Sequence, residues 1–376
     1  MIAMRNLRAI SWLALVPLVV VGCAAVKAQA PDSSRQLAPI ALSPIQLKIP
    51  NAEVVAAWAL PNDMFLSKYG AVRLGDQVAF GTDVDAAGSQ PGAAARGNFG
   101  VISLRTGRLQ LLPALLLGAW TNLITGTDGY WIRTETRPST QACGRTDGAC
   151  TEWLIAATPA TGGPTFVLDG GVTSAEAVNI PRVVTSSLGV AWQRPVAGGQ
   201  SEVVWWRAGF DRPLVVGGAS GQGQLAGTVS GWLLATMWGR GPTLLDVGKG
   251  VSVASPALNA LVAGPSSLAY AVPAETDALP GTSDIDVGQV VDGKLVGKLI
   301  AQVSDVYGLG WADSLNLLVA TPNGTSLVPI NGAPIIPLPA VGEFTSHANG
   351  AGAVIAVAGE RGEIGIAVVE AAGAAR

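Results

Sequence analysis

One histidine, three cysteines and a few closely spaced carboxylates are the residues of this chain best suited to chemistry. His347 stands beside Ser346, and a Ser–His–Asp hydrolase would have to use it as its base. No Gly-x-Ser-x-Gly elbow exists, and no strand–turn–helix context would present a serine to it. His347 therefore reads as a loop residue before the last of the repeats described below. A single histidine also excludes a histidine-rich metal site. Asp83 and Asp85, and likewise Asp284 and Asp286, are two residues apart, so on a strand each pair shares one face. Such a pair could hold Ca²⁺ or divide acid and base roles. Asp284 and Asp286 open a strand after Gly281-Thr282-Ser283 and read as a solvated edge, while Asp83 and Asp85 introduce a long loop. Gly221-Gln222-Gly223 lacks the βαβ context of a dinucleotide site, and Gly248-Lys249-Gly250 lacks phosphate-loop spacing. No catalytic residue, metal ligand or cofactor is assigned.

The elements that must position these residues repeat along the chain. A small or polar turn is followed by an apolar, β-prone run at Val78-Ala79-Phe80, Tyr130-Trp131-Ile132, Val190-Ala191-Trp192 and Trp232-Leu233-Leu234. The pattern returns at Leu268-Ala269-Tyr270, at residues 315–319 and at residues 353–357. The mean spacing is about 46 residues, in the range of propeller blades. The 48 glycines and 24 prolines fall mainly between the runs, where they would interrupt helices. Residues 111–119 are the most helix-like, limited by Pro113 and Gly118. The expected fold is an all-β propeller of seven four-stranded antiparallel blades. Six or eight blades are the alternatives because the spacings are uneven, and a pair of β-sandwich domains is the rival architecture. The last repeat offers only about two strands, so residues 40–49, with spaced Leu42, Ile45, Leu47 and Ile49, are expected to help close the ring and remove free edges.

Eleven tryptophans need a role. Trp131, Trp192 and Trp232 belong to the repeated runs and are expected in the core. Trp205 and Trp206 are adjacent on one strand and must face opposite ways. Unless both are sandwiched between blades, one is a candidate partner contact.

The N-terminus carries Arg5 and Arg8, then a largely apolar run too short to span a hydrocarbon core, which is the layout of a secretory leader. It ends in Val20-Val21-Gly22-Cys23, which resembles the bacterial lipobox. That resemblance implies a lipid on the Cys23 sulfur, cleavage after Gly22 and attachment to the outer surface of the cell membrane. The organisation expected is a signal peptide at 1–22, a lipid-anchored flexible tether at 23–39 and a single propeller at 40–376. The net charge of −3 becomes more negative once Arg5 and Arg8 leave. An acidic chain excludes nucleic-acid binding, which needs a basic face, and a polybasic membrane patch. With Cys23 lipidated, Cys143 and Cys150 remain as an even pair around a turn-like insert. Outside the cytoplasm a disulfide is their expected fate. A metal or redox site is the alternative, without CxxC spacing to support it.

The stretch Val306-Tyr307-Gly308-Leu309-Gly310-Trp311-Ala312-Asp313-Ser314-Leu315 is similar to the propeller region of actinobacterial lipoproteins of the LpqB type. So is its continuation through Leu318-Val319-Ala320, Gly324 and Asn331-Gly332-Ala333-Pro334. The resemblance implies a lipid-anchored propeller accessory to a membrane sensor kinase. The chain departs from that family in having too few residues before the first repeat for the family's α/β domain.

These readings lead to a non-enzymatic binding platform for an envelope protein or ligand, with loops 83–97, 136–151 and 273–283 as its contact surface. The alternative is an extracytoplasmic carbohydrate lyase or hydrolase with its site on the propeller axis. An enzyme would show acids or arginines from several blades converging there.

Overall fold

The computed structural model describes residues 38–372 apart from 63, 85–95, 117–118, 140–149, 175–180, 197–199, 221–222, 237–242, 265, 275–280, 342–346, 349–351 and 361. Each of the seven repeated runs forms the second strand of its own antiparallel sheet. Blade 1 comprises Met64–Leu74, Gln77–Val84, Arg96–Ser103 and Arg108–Pro113, and blade 2 comprises Trp120–Thr127, Tyr130–Ser139, Cys150–Pro159 and Phe166–Ser174. Blade 3 is Val183–Ser186, Gly189–Val196, Gln200–Trp206 and Leu214–Ser220; blade 4 is Gln224–Gly227, Trp232–Ala235, Leu244–Asp246 and Val251–Ser252. Blade 5 is Ala260–Ala263, Leu268–Pro273, Thr282–Val291 and Lys294–Ser304; blade 6 is Gly308–Trp311, Asn316–Thr321, Gly324–Pro329 and Ile336–Leu338. Blade 7 takes His347–Ala348, Ala353–Ala358 and Ile364–Ala371 from the end of the chain and Ala52–Ala59 from its start. The first strands of successive blades touch in an unbroken circuit that returns from blade 7 to blade 1. The fold is a seven-bladed β-propeller.

Alternation explains why the runs are continuously apolar. Successive side chains on a strand face opposite ways, and a blade is covered on both sides. Thus Val190 and Trp192 pack toward blade 2, while Ala191 packs toward blade 4. Leu317 and Val319 face blade 5, and Leu318 faces blade 7. Every one of the seven interfaces carries its own apolar cluster. Each fully buried Val, Leu, Ile or Phe contributes roughly 1.5–3 kcal/mol, so the ring is held by many small wedges instead of one central core.

Closure uses a different strand from the one expected. Ala52–Ala59, not residues 40–49, pairs with Ile364–Ala371 as the outermost strand of blade 7. Residues 40–49 form a strap outside it. Ile40 and Ala41 pair with Leu109 and Arg108 on the outer edge of blade 1. Ile45 N–H then donates to Ala57 C=O at 2.9 Å, and Ile45 and Ile49 are buried between blades 6 and 7. The strap leaves Ala52–Ala59 as the closing strand because Asn51, at φ 60°, turns the chain immediately before it.

The strand order makes the two faces of the disc unequal. Connections from first to second and from third to fourth strands emerge on one face, here the turn face. Connections from second to third strands and between blades emerge on the other, the loop face. Asp128-Gly129 and Asp292-Gly293 on the turn face hold positive φ at both positions, the geometry of two-residue hairpins whose twist matches the flanking strands. On the loop face the strand ends are joined through residues 85–95, 140–149, 175–182, 236–243 and 274–281. Short connections stand among them: blade 6 closes with Pro322 and Asn323, and blade 3 joins its second and third strands through residues 197–199.

Candidate functional site

The three loops singled out in the sequence are the second-to-third strand connections of blades 1, 2 and 5, so all three rise from the loop face. Their central residues, including Asp85 and Cys143, lie outside the described residues, as do the leader, Cys23 and most of the tether. Their stems are described. Cys150 begins the third strand of blade 2, is buried, and is held in a disulfide.

Blade 2 braces its loop with charges that sequence reasoning missed. Arg133, Glu135 and Arg137 alternate along the second strand and share the side facing blade 1. Arg137 Nε donates to Glu152 Oε2 at 2.7 Å across the strands. Deeper in, Arg133 Nε lies 2.8 Å from Glu135 Oε1, with both side chains at 2% exposure or less. Glu135 Oε2 also accepts the backbone N–H groups of Leu115 and Leu116 at 2.7 and 2.9 Å, which ties down the connector from blade 1. Arg133 lies over the Phe99 ring at 5.0 Å. Burial lowers the Arg133 pKa, and the Glu135 charge opposes that shift. A charge this deep is tolerated only with partners, and here the partners join the second strand of blade 2 to the connector from blade 1. The signal was the alternation itself: in a two-layer sandwich Arg133 would face water, whereas in a propeller neither face of a second strand does.

Trp205 and Trp206 face opposite ways, as their adjacency requires. Trp206 is buried against blade 2, edge-on to Tyr130 at 5.4 Å and Phe166 at 5.6 Å, and donates to Phe210 C=O at 3.1 Å. Trp205 packs toward blade 4, is half-buried, and donates to Leu188 C=O at 2.8 Å. Of the two, Trp205 alone keeps surface for a partner.

The axis is lined by the seven first strands, and none of these contains Asp or Glu. Thr125 and Thr185 hydroxyls meet at 3.1 Å across blades 2 and 3, and Gln224 Oε1 accepts Leu261 N–H at 3.1 Å across blades 4 and 5. Arg73 is tied to Glu370 of blade 7 at 2.5 Å, across the closure seam. His347 falls in the short first strand of blade 7, paired with Val354, and not in a loop. Among the described residues no three His, Cys, Asp or Glu side chains gather to hold a metal ion, and no helix is long and apolar enough to cross a membrane.

Asp284 and Asp286 occupy the third strand of blade 5, just inside the loop face. They alternate with Ser283 and Ile285, which are buried on the opposite side. Both acids are half-buried instead of solvated. Tyr270 stands directly across from Asp286 and is buried between blades 4 and 5. Burial and the neighbouring Asp284 charge push the Asp286 carboxyl above its usual range. Burial and Asp286 push the Tyr270 phenol up to about 12.

No protein-family model and no curated protein matches the chain. Among solved structures it is similar to the β-propeller domain of the Trilobed protease from Pyrococcus furiosus, at 12% identity and a TM-score of 0.42, covering 65% of this chain and 84% of that one. It is also similar to BamB from Moraxella catarrhalis, at 11% identity and a TM-score of 0.38 over 89% of this chain and 99% of that one. TolB from Acinetobacter baumannii aligns at 10% identity and a TM-score of 0.39 over 81% and 85%. At these TM-scores the likenesses carry no argument, and the propeller is read from the strand order itself.

Proposed function

We propose that the chain is a lipid-anchored propeller on the extracytoplasmic side of a cell membrane, where its loop face binds another envelope protein or ligand without catalysing a reaction. The observation that carries this reading is the inequality of the two faces. Long connections are gathered on one face, above blades braced by a buried ion pair and a disulfide. Function on rigid scaffolds resides in such loops. Cys23 supplies the anchor, since two or more buried acyl chains are what stable attachment requires. Pairing of Cys150 with Cys143 stiffens the blade 2 loop. The accessory role to a membrane sensor kinase rests on the LpqB-type resemblance. The first strands contain no Asp or Glu and so offer an axial lyase or hydrolase no convergent carboxylates, which leaves that alternative without an observation in its favour.

The test is crosslinking in intact cells, detergent extraction and mass spectrometry, with wild type and Cys23→Ala compared. A membrane protein recovered with the anchored form alone supports the reading. Equal recovery of nothing from both forms overturns it.

A further inference from the structure

Large apolar side chains stand in water on the face opposite the long loops. Twelve are exposed among the described residues, and nine of them lie in turns or at strand ends of the turn face. The three elsewhere are Leu299, Tyr307 and Ile364. Six of the nine fall on three consecutive blades. Leu214 and Val215 open the outer strand of blade 3, Val229 sits in a turn of blade 4, and Val251 opens that blade's outer strand. Val291 and Val296 border the Asp292-Gly293 hairpin of blade 5. Val229 is 77% exposed, so its side chain gains almost nothing from its own fold. Apolar surface gathered in one sector marks contact with something outside the chain.

The charges between these side chains are a second, independent feature. Arg207 and Arg212 on blade 3, Lys249 on blade 4 and Lys294 on blade 5 are all exposed in the same turns. The acids there are Asp211, Asp246 and Asp292, and Asp246 is already paired with Lys249 at 3.2 Å. Four bases against three acids leave the sector positive in a chain whose net charge is −3. Aliphatic tips flanked by long cations suit a lipid interface, where apolar groups reach the acyl boundary and Lys or Arg extends to phosphate. The point where the chain enters the ring is a third feature. Leu42 N–H donates to Gly107 C=O at 2.8 Å, at a turn of blade 1 on the same face. In a circuit of seven, blade 1 stands across the ring from blades 4 and 5.

We propose that the turn face of blades 3–5 rests on the lipid bilayer, with its aliphatic tips at the acyl boundary and its bases at lipid phosphates. A protein would need a pocket for each tip, and these tips stand on separate turns. A bilayer needs only that the tips reach one plane, which turns on one face of a disc do. This orientation rests on the lipid-anchored reading. From Cys23 to residue 38 the chain spans at most about 50 Å, which lets either face approach the membrane, so the apolar sector is what selects the turn face. An anchor beside blade 1 and a contact opposite it hold the disc flat, with the loop face turned outward to its partner.

The probe is a vesicle of equal parts phosphatidylcholine and phosphatidylglycerol with brominated acyl chains, into which detergent-extracted full-length protein is reconstituted. A fluorescent amino acid replaces Val229, Val291 or, on the loop face, Asn323, all of them exposed. Bromine should quench the label at 229 and at 291 at least about threefold more than the label at 323. Thermal melting reports folding, and the two turn-face positions keep the test alive if one labelled protein fails to fold. Equal quenching at all three positions, or quenching at 323 alone, overturns the proposed orientation. Protein that floats with the vesicles while neither turn-face label is quenched leaves the anchor standing and removes the turn-face contact. Protein that does not float removes both. A protein crosslinked from position 229 in intact cells, without quenching in vesicles, would assign the sector to a protein partner and overturn the lipid contact.

Discussion

The two faces of the disc are built from the same strands and differ in what joins them. On the turn face, Asp128-Gly129 and Asp292-Gly293 reverse the chain in two residues with backbone angles that glycine and aspartate favour. Such turns fix strand register and leave little to vary. On the loop face the chain leaves the blades for longer stretches, and the stems carry the buried Arg133–Glu135 pair, the Cys150 disulfide and the half-buried Asp284–Asp286 pair. On the proposed function the difference separates two jobs, one face holding strand register and the other presenting residues to a partner.

The largest expected effect is at the brace of the loop face. Glu135→Gln leaves the Arg133 charge buried without its counter-charge and, if the remaining oxygen keeps the Leu115 and Leu116 amides, turns an NH2 group toward it, so stability should fall by about 3–5 kcal/mol. Urea unfolding measures this, and a loss below about 1 kcal/mol would show the pair to be dispensable. Next, Cys143→Ser should cost roughly 2–3 kcal/mol under oxidising conditions and nothing in the presence of a reductant. Equal stability of variant and wild type in both conditions would mean that the two cysteines are not paired. On the turn face, Gly293→Val forces a β-branched residue into φ 72° and should cost about 1–2 kcal/mol while leaving partner recovery intact. The converse exchange, residues 85–95 for Asn-Gly, should change stability by less than about 1 kcal/mol, because loop length enters closure entropy only logarithmically. It should nevertheless abolish partner recovery. If these last two variants swapped their outcomes, the division between faces would be wrong.

The smallest effect is a pH dependence. The Asp286 carboxyl is held above its ordinary value by burial and by Asp284, so ionising it costs the folded state more than the unfolded one. That penalty is full above the raised value and is relieved as the pH falls toward the ordinary carboxylate value of about 4. Asp286→Asn should therefore raise the melting temperature at about pH 7.5 and change it little near about pH 4. A variant that melts lower than wild type at neutral pH would contradict the strained-pair account.

The blade number was legible because one strand per blade, the second, is covered on both sides and must be apolar at every position. Val78-Ala79-Phe80 and its six counterparts carry that constraint in the open. The closing strand was harder to see. Residues 40–49 have the better-spaced large side chains, yet Ala52–Ala59, rich in alanine and interrupted by an irregular register between Val54 and Ala56, is the strand that pairs. Its signal lay in the Pro50-Asn51 turn and in Trp58, not in hydrophobic spacing. Arg133 and Glu135 were invisible for a related reason. Their alternation looks like a solvated face, and only the neighbouring blade turns that face inward. Asp284 and Asp286 were legible as a pair, but their burial depends on Tyr270 and on blade 4, which no local pattern reveals.

The central claim is that the loop face meets the partner, and photo-crosslinking from both faces in intact cells tests it most directly. A photoreactive residue is placed at Asn323 on the loop face or at Asp128 on the turn face, both exposed turn positions. The account predicts one envelope protein crosslinked from position 323 and absent from position 128. Crosslinks to the same protein from position 128 alone, or equally from both, would contradict it.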